Sequence, residues 1–122
     1  MSDEDLDKFQ TIADCAVFPS LYEPFGIVAL ESFAACVPVV VSDTGGLAEV
    51  VEHNHTGIVT RANDPYSLTW GILEVLRNPA HCQYLVENAY KSISERFSWD
   101  DLAKQTVTVY SRVASERSLV NW

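Results

Sequence analysis

Three short apolar runs, separated by helical patterns, constrain the fold of this chain more than any other feature. The runs cover residues 16–18, 39–41 and 58–59, and each has the length of a buried strand. Strands that are apolar on both sides are typical of parallel sheets, because helices cover both faces. The alternation predicts an α/β fold, a three-layer Rossmann-like parallel sheet with right-handed crossovers. Three strands are few for such a sheet, so we expect a partial one followed by C-terminal helices.

Capping signals place further helices around these strands. Ser2 with Asp5 forms a capping box, and a similar pattern begins at Ser98. Asp64-Pro65 and Asn78-Pro79 each combine a cap with proline in the first turn. Apolar spacing supports each helix. Leu6, Phe9 and Ala13 share one face of the first, and an apolar stripe on the second consists of Leu68, Ile72, Val75 and Leu76. In the third we expect Cys82, Leu85, Val86, Ala89 and Ile93 to face inward, and the last contains Leu102, Thr106, Val109, Tyr110 and Val113.

A helix is also expected at residues 27–35, within a segment in which Glu31 is the only charge among apolar or small residues. A helix that is apolar on all sides is typical of a buried helix, and a lone buried carboxylate is costly unless a partner satisfies it. Two interpretations stay open. Glu31 could pair with a buried Arg or Lys or reach the surface, or it could accept hydrogen bonds from vicinal sugar hydroxyls.

A second carboxylate, Glu23, stands just before this helix. Free backbone N–H groups and the helix dipole attract anions to a helix N-terminus. We therefore expect that a phosphate group can dock at the start of the helix, with Glu23 beside it and Glu31 one turn further in.

Composition excludes several classes of partner. The hydrophobic content of 48% is too high for a disordered chain, and no apolar run approaches the ~20 residues of a membrane span. A net charge of −9 argues against nucleic acid or an anionic membrane as partner, because both bind basic patches. The three cysteines are widely spaced, which favours the reduced thiols of a cytoplasmic protein. His53 and His55 lack a third ligand at a useful spacing, so no metal site is predicted.

Residues 19–31 read Pro-Ser-Leu-Tyr-Glu-Pro-Phe-Gly-Ile-Val-Ala-Leu-Glu, which closely resembles the E-x(7)-E signature of the retaining glycosyltransferases of family 4. Residues 37–49 and 56–59 continue the resemblance, which extends more loosely to about residue 113. The resemblance implies a GT-B fold, in which these strands are the last three of the C-terminal nucleotide-sugar-binding domain. It also implies that residues 1–122 are the later half of that domain, and that the first half and the N-terminal acceptor domain are absent.

The same resemblance assigns roles by position. Glu23 would contact the hydroxyls of the donor sugar and is the candidate catalytic residue, and Glu31 would hold the ribose of the nucleotide. The other donor-binding candidates are the backbone around Phe25, Gly26, Ile27 and Val28 and the pair Gly45 and Gly46. A tight turn explains the glycines equally well.

The reaction implied by the resemblance is transfer of a hexose from a nucleoside-diphosphate sugar to an acceptor hydroxyl. The anomeric configuration would be retained, and neither a metal nor another cofactor would be required. The acceptor, a sugar or a lipid, would bind only with the missing domain, so we expect the isolated chain to be inactive. A non-catalytic nucleotide-sugar or anion-binding module is an alternative, and a fragment of a nucleotide-sugar epimerase fits the residues less well.

The helix end at Cys36 departs from the family pattern. The family usually has glycine where Cys36 stands, at a helix end whose left-handed conformation costs a non-glycine residue roughly 1 kcal/mol or more.

The strand at residues 16–18 should lie at the sheet edge with unpaired backbone groups and no charged side chain. We therefore expect self-association through this edge.

Overall fold

Helices and strands alternate along the chain in the computed structural model, which describes residues 2–119. The elements are α1 (Asp3–Thr11), β1 (Ala16–Phe18), α2 (Ile27–Ala34), β2 (Val39–Ser42), α3 (Gly45–Val50), β3 (Ile58–Thr60), α4 (Pro65–Arg77), α5 (Pro79–Arg96) and α6 (Trp99–Leu119). The three predicted strands are confirmed. The capping box of Ser2 and the cap of Asp64 are also confirmed, since both side chains accept backbone N–H groups of the first helical turn.

The strands form one parallel sheet in the order β1-β2-β3. Side chains of the central strand alternate between two hydrophobic clusters on opposite faces. Val41 packs with Phe33 of α2 and Leu47 of α3, whereas Val40 packs with Val75 of α4. Helices therefore cover both faces, and the predicted three-layer α/β fold is confirmed.

Helix α2 is buried along one side rather than all round. Ala29 and Phe33 are buried, whereas Ile27 is 57% exposed and Glu31 and Ala34 are exposed. The expectation of a fully buried helix with a buried Glu31 is wrong for this chain. The reason is geometric: α2 packs on a sheet of three strands, and no element of residues 2–119 covers its outer side.

The first and last helices are peripheral. No residue of α1 is buried, and Phe9 is 63% exposed. No described side chain of α6 is buried either, and Leu102, Val109, Tyr110 and Val113 are all exposed. In α4, Leu76 is also exposed although Val75 is buried. The apolar spacing indicated helices correctly, but the exposure of these side chains shows that no described element buries these faces.

Helix α2 ends as the sequence predicts. Cys36 has a left-handed backbone with φ 57°. Its N–H donates to the carbonyl of Phe33 at 3.1 Å, and the N–H of Val37 donates to the carbonyl of Ser32 at 2.9 Å. These two bonds form a Schellman motif, in which glycine is the usual residue at the left-handed position.

The two edges of the sheet differ. β1 lies at one edge, as predicted, and its three residues are half-buried. At the other edge the N–H of Val59 donates to Nδ1 of His53 at 3.0 Å. The imidazole thus covers part of the β3 edge, whereas no strand within residues 2–119 lies outside β1.

Metal-binding clusters and membrane-spanning helices are both absent from residues 2–119. No group of three or more His, Cys, Asp or Glu side chains in this part of the chain is arranged to hold a metal ion. None of its helices combines the length and the hydropathy needed to cross a membrane.

Candidate functional site

The candidate site lies at the carboxyl ends of β1 and β2, where open α/β sheets bind ligands. An acidic loop, defined here as residues 20–26 with Glu23 at its centre, connects β1 to α2. Gly26 closes the loop and caps α2 with φ 71°, a left-handed conformation that glycine adopts without steric cost. A Cβ atom at Gly26 would also lie 2.8 Å from the carbonyl oxygen of Gly46. Both the turn and the close approach therefore require glycine at this position.

The first turn of α3 packs directly against the acidic loop. The N–H of Gly46 donates to the carbonyl of Glu23 at 2.7 Å. A Cβ atom at Gly45 would overlap the carbonyl oxygen of Glu23, and one at Gly46 would overlap the backbone of Phe25. The structure thus brings the predicted glycine pair next to Glu23. Because the N–H of Gly46 is engaged, its observed role is to hold the loop.

Hydroxyl groups at the end of β2 also hold the loop. The Oγ atom of Ser42 donates to the carbonyl of Ser20 at 2.5 Å. The Oγ1 atom of Thr44 donates to the same carbonyl at 2.9 Å. The sequence interpretation missed these residues, although a polar pair at the end of an apolar strand was a visible signal.

The two predicted glutamates lie on either side of the start of α2. The Oε1 atom of half-buried Glu23 accepts the N–H of Gly26 at a long distance of 3.3 Å. Glu31 lies four residues after Ile27 and shares its exposed face. Glu31 forms no ion pair among the described residues and is exposed, so of the first interpretation the buried ion pair is wrong and the surface position is confirmed. Its carboxylate faces solvent and can accept hydrogen bonds from a ligand.

The groups around the start of α2 determine which kinds of ligand the site can bind. The first N–H groups of α2 have no partner within the helix, and together with the helix dipole they favour an anion. Two carboxylates can accept hydrogen bonds from hydroxyl groups. Phe25 and Ile27 add exposed apolar surface beside them. The site therefore combines an anion position with hydroxyl acceptors, a combination that fits a phosphorylated sugar or nucleoside.

An open pocket of about 270 Å³ adjoins the acidic loop at the ends of all three strands. Its lining includes Leu21 of the loop, Ser42 and Arg61, but neither Glu23 nor Glu31. Arg61 pairs with Asp64 at 2.9 Å. The backbone N–H of Ser67, with smaller contributions from Arg61 and a second N–H group, lowers the pKa of Asp64. Sequence reasoning did not predict this pocket, which forms only when the three strand ends come together.

Comparison with known proteins gives one matching family. The sequence profile of the family described as glycosyl transferases group 1 matches residues 1–92. The chain is 49% identical over 111 residues to an uncharacterized glycosyltransferase of Methanocaldococcus jannaschii. That alignment covers 91% of this chain but 28% of the relative.

Solved structures with similar folds are also longer than this chain. Sucrose-phosphate synthase from Thermosynechococcus elongatus aligns with 95% of the chain at a TM-score of 0.80 and 32% identity. Anabaena HepE, solved in complex with UDP-glucose, aligns with 93% at a TM-score of 0.71 and 26% identity. The chain covers 29% of each of these two structures. It therefore spans less than a third of the length of these two structures and of the M. jannaschii relative.

Proposed function

Because this chain belongs to the group 1 glycosyl transferases, and its structural neighbours are GT-B enzymes, we propose that it is the donor-binding part of a retaining hexosyltransferase of family 4. The reaction is transfer of a hexose from a nucleoside-diphosphate sugar to an acceptor hydroxyl. The observation that carries this proposal is the placement of Glu23 and Glu31 on either side of the α2 N-terminus, at the carboxyl end of a parallel sheet.

Each group at the start of α2 has a role in this proposal. Glu31 accepts hydrogen bonds from the ribose, and Glu23 accepts them from the transferred sugar. The long bond from the Gly26 N–H to Glu23, 3.3 Å, is a weak competitor for a sugar hydroxyl. The N–H groups of Ile27 and Val28 receive the diphosphate, since the first N–H groups of a helix lack internal partners.

The nucleotide in the proposal comes from the neighbouring structures. Anabaena HepE was solved with UDP-glucose, which supports a uridine nucleotide sugar as the first donor to test. Stabilisation of the leaving diphosphate by fixed dipoles is the main contribution of this part of the site to catalysis. Neither a metal nor another cofactor has a role in the proposed step.

A binding experiment tests this proposal with the 122-residue chain itself. We expect calorimetric titration to detect binding of UDP or UDP-glucose, with GDP as the alternative nucleotide and free glucose as the negative control. Binding should persist in EDTA, because no metal is proposed. Absence of binding by every nucleotide would contradict the proposed function, and a requirement for Mg²⁺ would contradict its metal independence.

A further inference from the structure

We infer that Thr44 and Ser42 are positioning residues for Glu23, acting through the backbone of the acidic loop. This inference rests on the proposed function, in which Glu23 contacts the donor sugar. Neither hydroxyl needs to touch the ligand. Their contribution is to fix the loop so that the carboxylate of Glu23 is held beside the start of α2.

The hydrogen bond made by the Thr44 hydroxyl supports this role. Thr44 occupies the N-cap position of α3, where a threonine hydroxyl ordinarily accepts a helical N–H group. Its side chain makes no such bond and instead donates to the carbonyl of Ser20 at 2.9 Å. The hydroxyl therefore stabilises the acidic loop rather than its own helix.

Ser42 supplies the second donor to the same carbonyl. Its side chain is buried, with 2% exposure, and its Oγ atom lies 2.5 Å from the Ser20 carbonyl oxygen. The Oγ atoms of Ser42 and Thr44 are themselves 3.3 Å apart. Two neighbouring hydroxyls thus converge on one carbonyl, at the point where the chain leaves β1.

A further bond fixes the loop near its centre. The N–H of Gly46 donates to the carbonyl of Glu23 at 2.7 Å, so Ser20 and Glu23 are both held by the segment of residues 42–46. Only two residues separate these anchors. Loss of the hydroxyl bonds at Ser20 would free one anchor and widen the range of positions open to the Glu23 carboxylate.

Amide hydrogen exchange, followed by mass spectrometry, tests the anchor directly. Thr44→Val removes the hydroxyl at nearly constant shape, and Thr44→Ser restores it. The matched control is Thr69→Val in α4, which removes an exposed hydroxyl that donates to the Pro65 carbonyl at 2.8 Å. We expect Thr44→Val to speed exchange about fivefold, the value of one neutral hydrogen bond, at the two amides that hold the loop. These are Gly26, which donates to the Glu23 carboxylate, and Gly46, which donates to the Glu23 carbonyl. Thr44→Ser should exchange like the wild type, and Thr69→Val should leave the loop unchanged.

Ligand discrimination separates positioning from a general loss of stability. Thr44→Val should weaken binding of UDP-glucose more than that of UDP, because Glu23 contacts the sugar in the proposal. Thr44→Ser should restore the wild-type ratio of the two dissociation constants. An unchanged ratio, or unchanged loop exchange, would overturn the inference. If the wild type binds neither ligand, the proposed function fails, and the exchange experiment still decides whether the hydroxyls hold the loop.

Discussion

The backbone at Cys36 has a conformation that suits glycine better than cysteine. With φ at 57°, an L-residue is strained by roughly 1–2 kcal/mol, and the exposed thiol gains no burial in return. We expect Cys36→Gly to raise the free energy of unfolding by about 1 kcal/mol. Thermal denaturation would measure this as a rise in Tm of several degrees.

The control for this substitution lies two residues earlier, at the end of α2. Ala34 is the last residue of α2 and is exposed. Ala34→Gly should lower the stability, because glycine inside a helix costs about 0.5–1 kcal/mol relative to alanine. If Cys36→Gly were also destabilising, the left-handed position would not be strained.

The three thiols should differ in reactivity and in pH dependence. Burial, with a smaller contribution from Cys82, raises the pKa of Cys15 to about 11, and burial also raises the pKa of Cys82. Cys36 is exposed. Since the thiolate is the nucleophile, iodoacetamide at pH 8 should label Cys36 first, and labelling of Cys15 should increase as the pH approaches 11. In urea, where the chain is unfolded, we expect Cys15 and Cys36 to be labelled at equal rates. Equal rates in the folded chain at pH 8 would contradict the prediction.

At the scale of elements, local capping signals predicted the structure better than the apolar periodicity of the helices did. The caps at Ser2 and Asp64 and the left-handed Cys36 follow from short-range chemistry, and the structure confirms them. The burial of the outer side of α2 was predicted wrongly. An apolar pattern shows which face can be buried, but not whether another element is present to bury it. Ser42 and Thr44 were visible as polar residues at the end of β2, but their acceptor, the Ser20 carbonyl, lies more than 20 residues away in the sequence, so no local pattern identifies the contact.

The edge strand β1 leads to a prediction at the scale of elements. Ala16 donates its N–H to the Pro38 carbonyl at 2.9 Å, so the next N–H, that of Val17, points away from the sheet. We expect the chain to self-associate through this edge, because an unpaired strand edge is a template for pairing. Sedimentation velocity over a range of concentrations should show growing oligomers.

A variant at the edge makes this prediction specific. Val17→Pro removes the outward N–H and leaves the bonds to β2 in place, which is the setting in which edge strands accept proline. It should shift the distribution towards monomer while the circular dichroism stays that of the folded chain. A wild type that remains monomeric at every concentration would refute self-association.

At the scale of the whole molecule, the chain covers 28% of its M. jannaschii relative. The resemblance to family 4 implies that the acceptor binds in a domain outside residues 1–122. We therefore expect the purified 122-residue chain to bind a donor but to transfer no sugar. Product analysis with labelled UDP-glucose and a sugar acceptor would test this, and transfer above that of an empty-vector preparation would contradict it.

The central claim is that a nucleoside-diphosphate sugar binds at the start of α2, between Glu23 and Glu31. Titration of the ¹⁵N-labelled chain with UDP-glucose, followed by NMR, tests this claim most directly because it reports both location and affinity. We expect the largest shifts within residues 23–31 and at Gly45. Glu31→Ala should weaken binding by about 1.5–3 kcal/mol, the value of hydrogen bonds to a charged group, whereas Glu95→Ala, at an exposed position of α5, should leave it unchanged. Shifts centred elsewhere, such as at Arg61, or equal affinity of the wild type and Glu31→Ala, would contradict the claim.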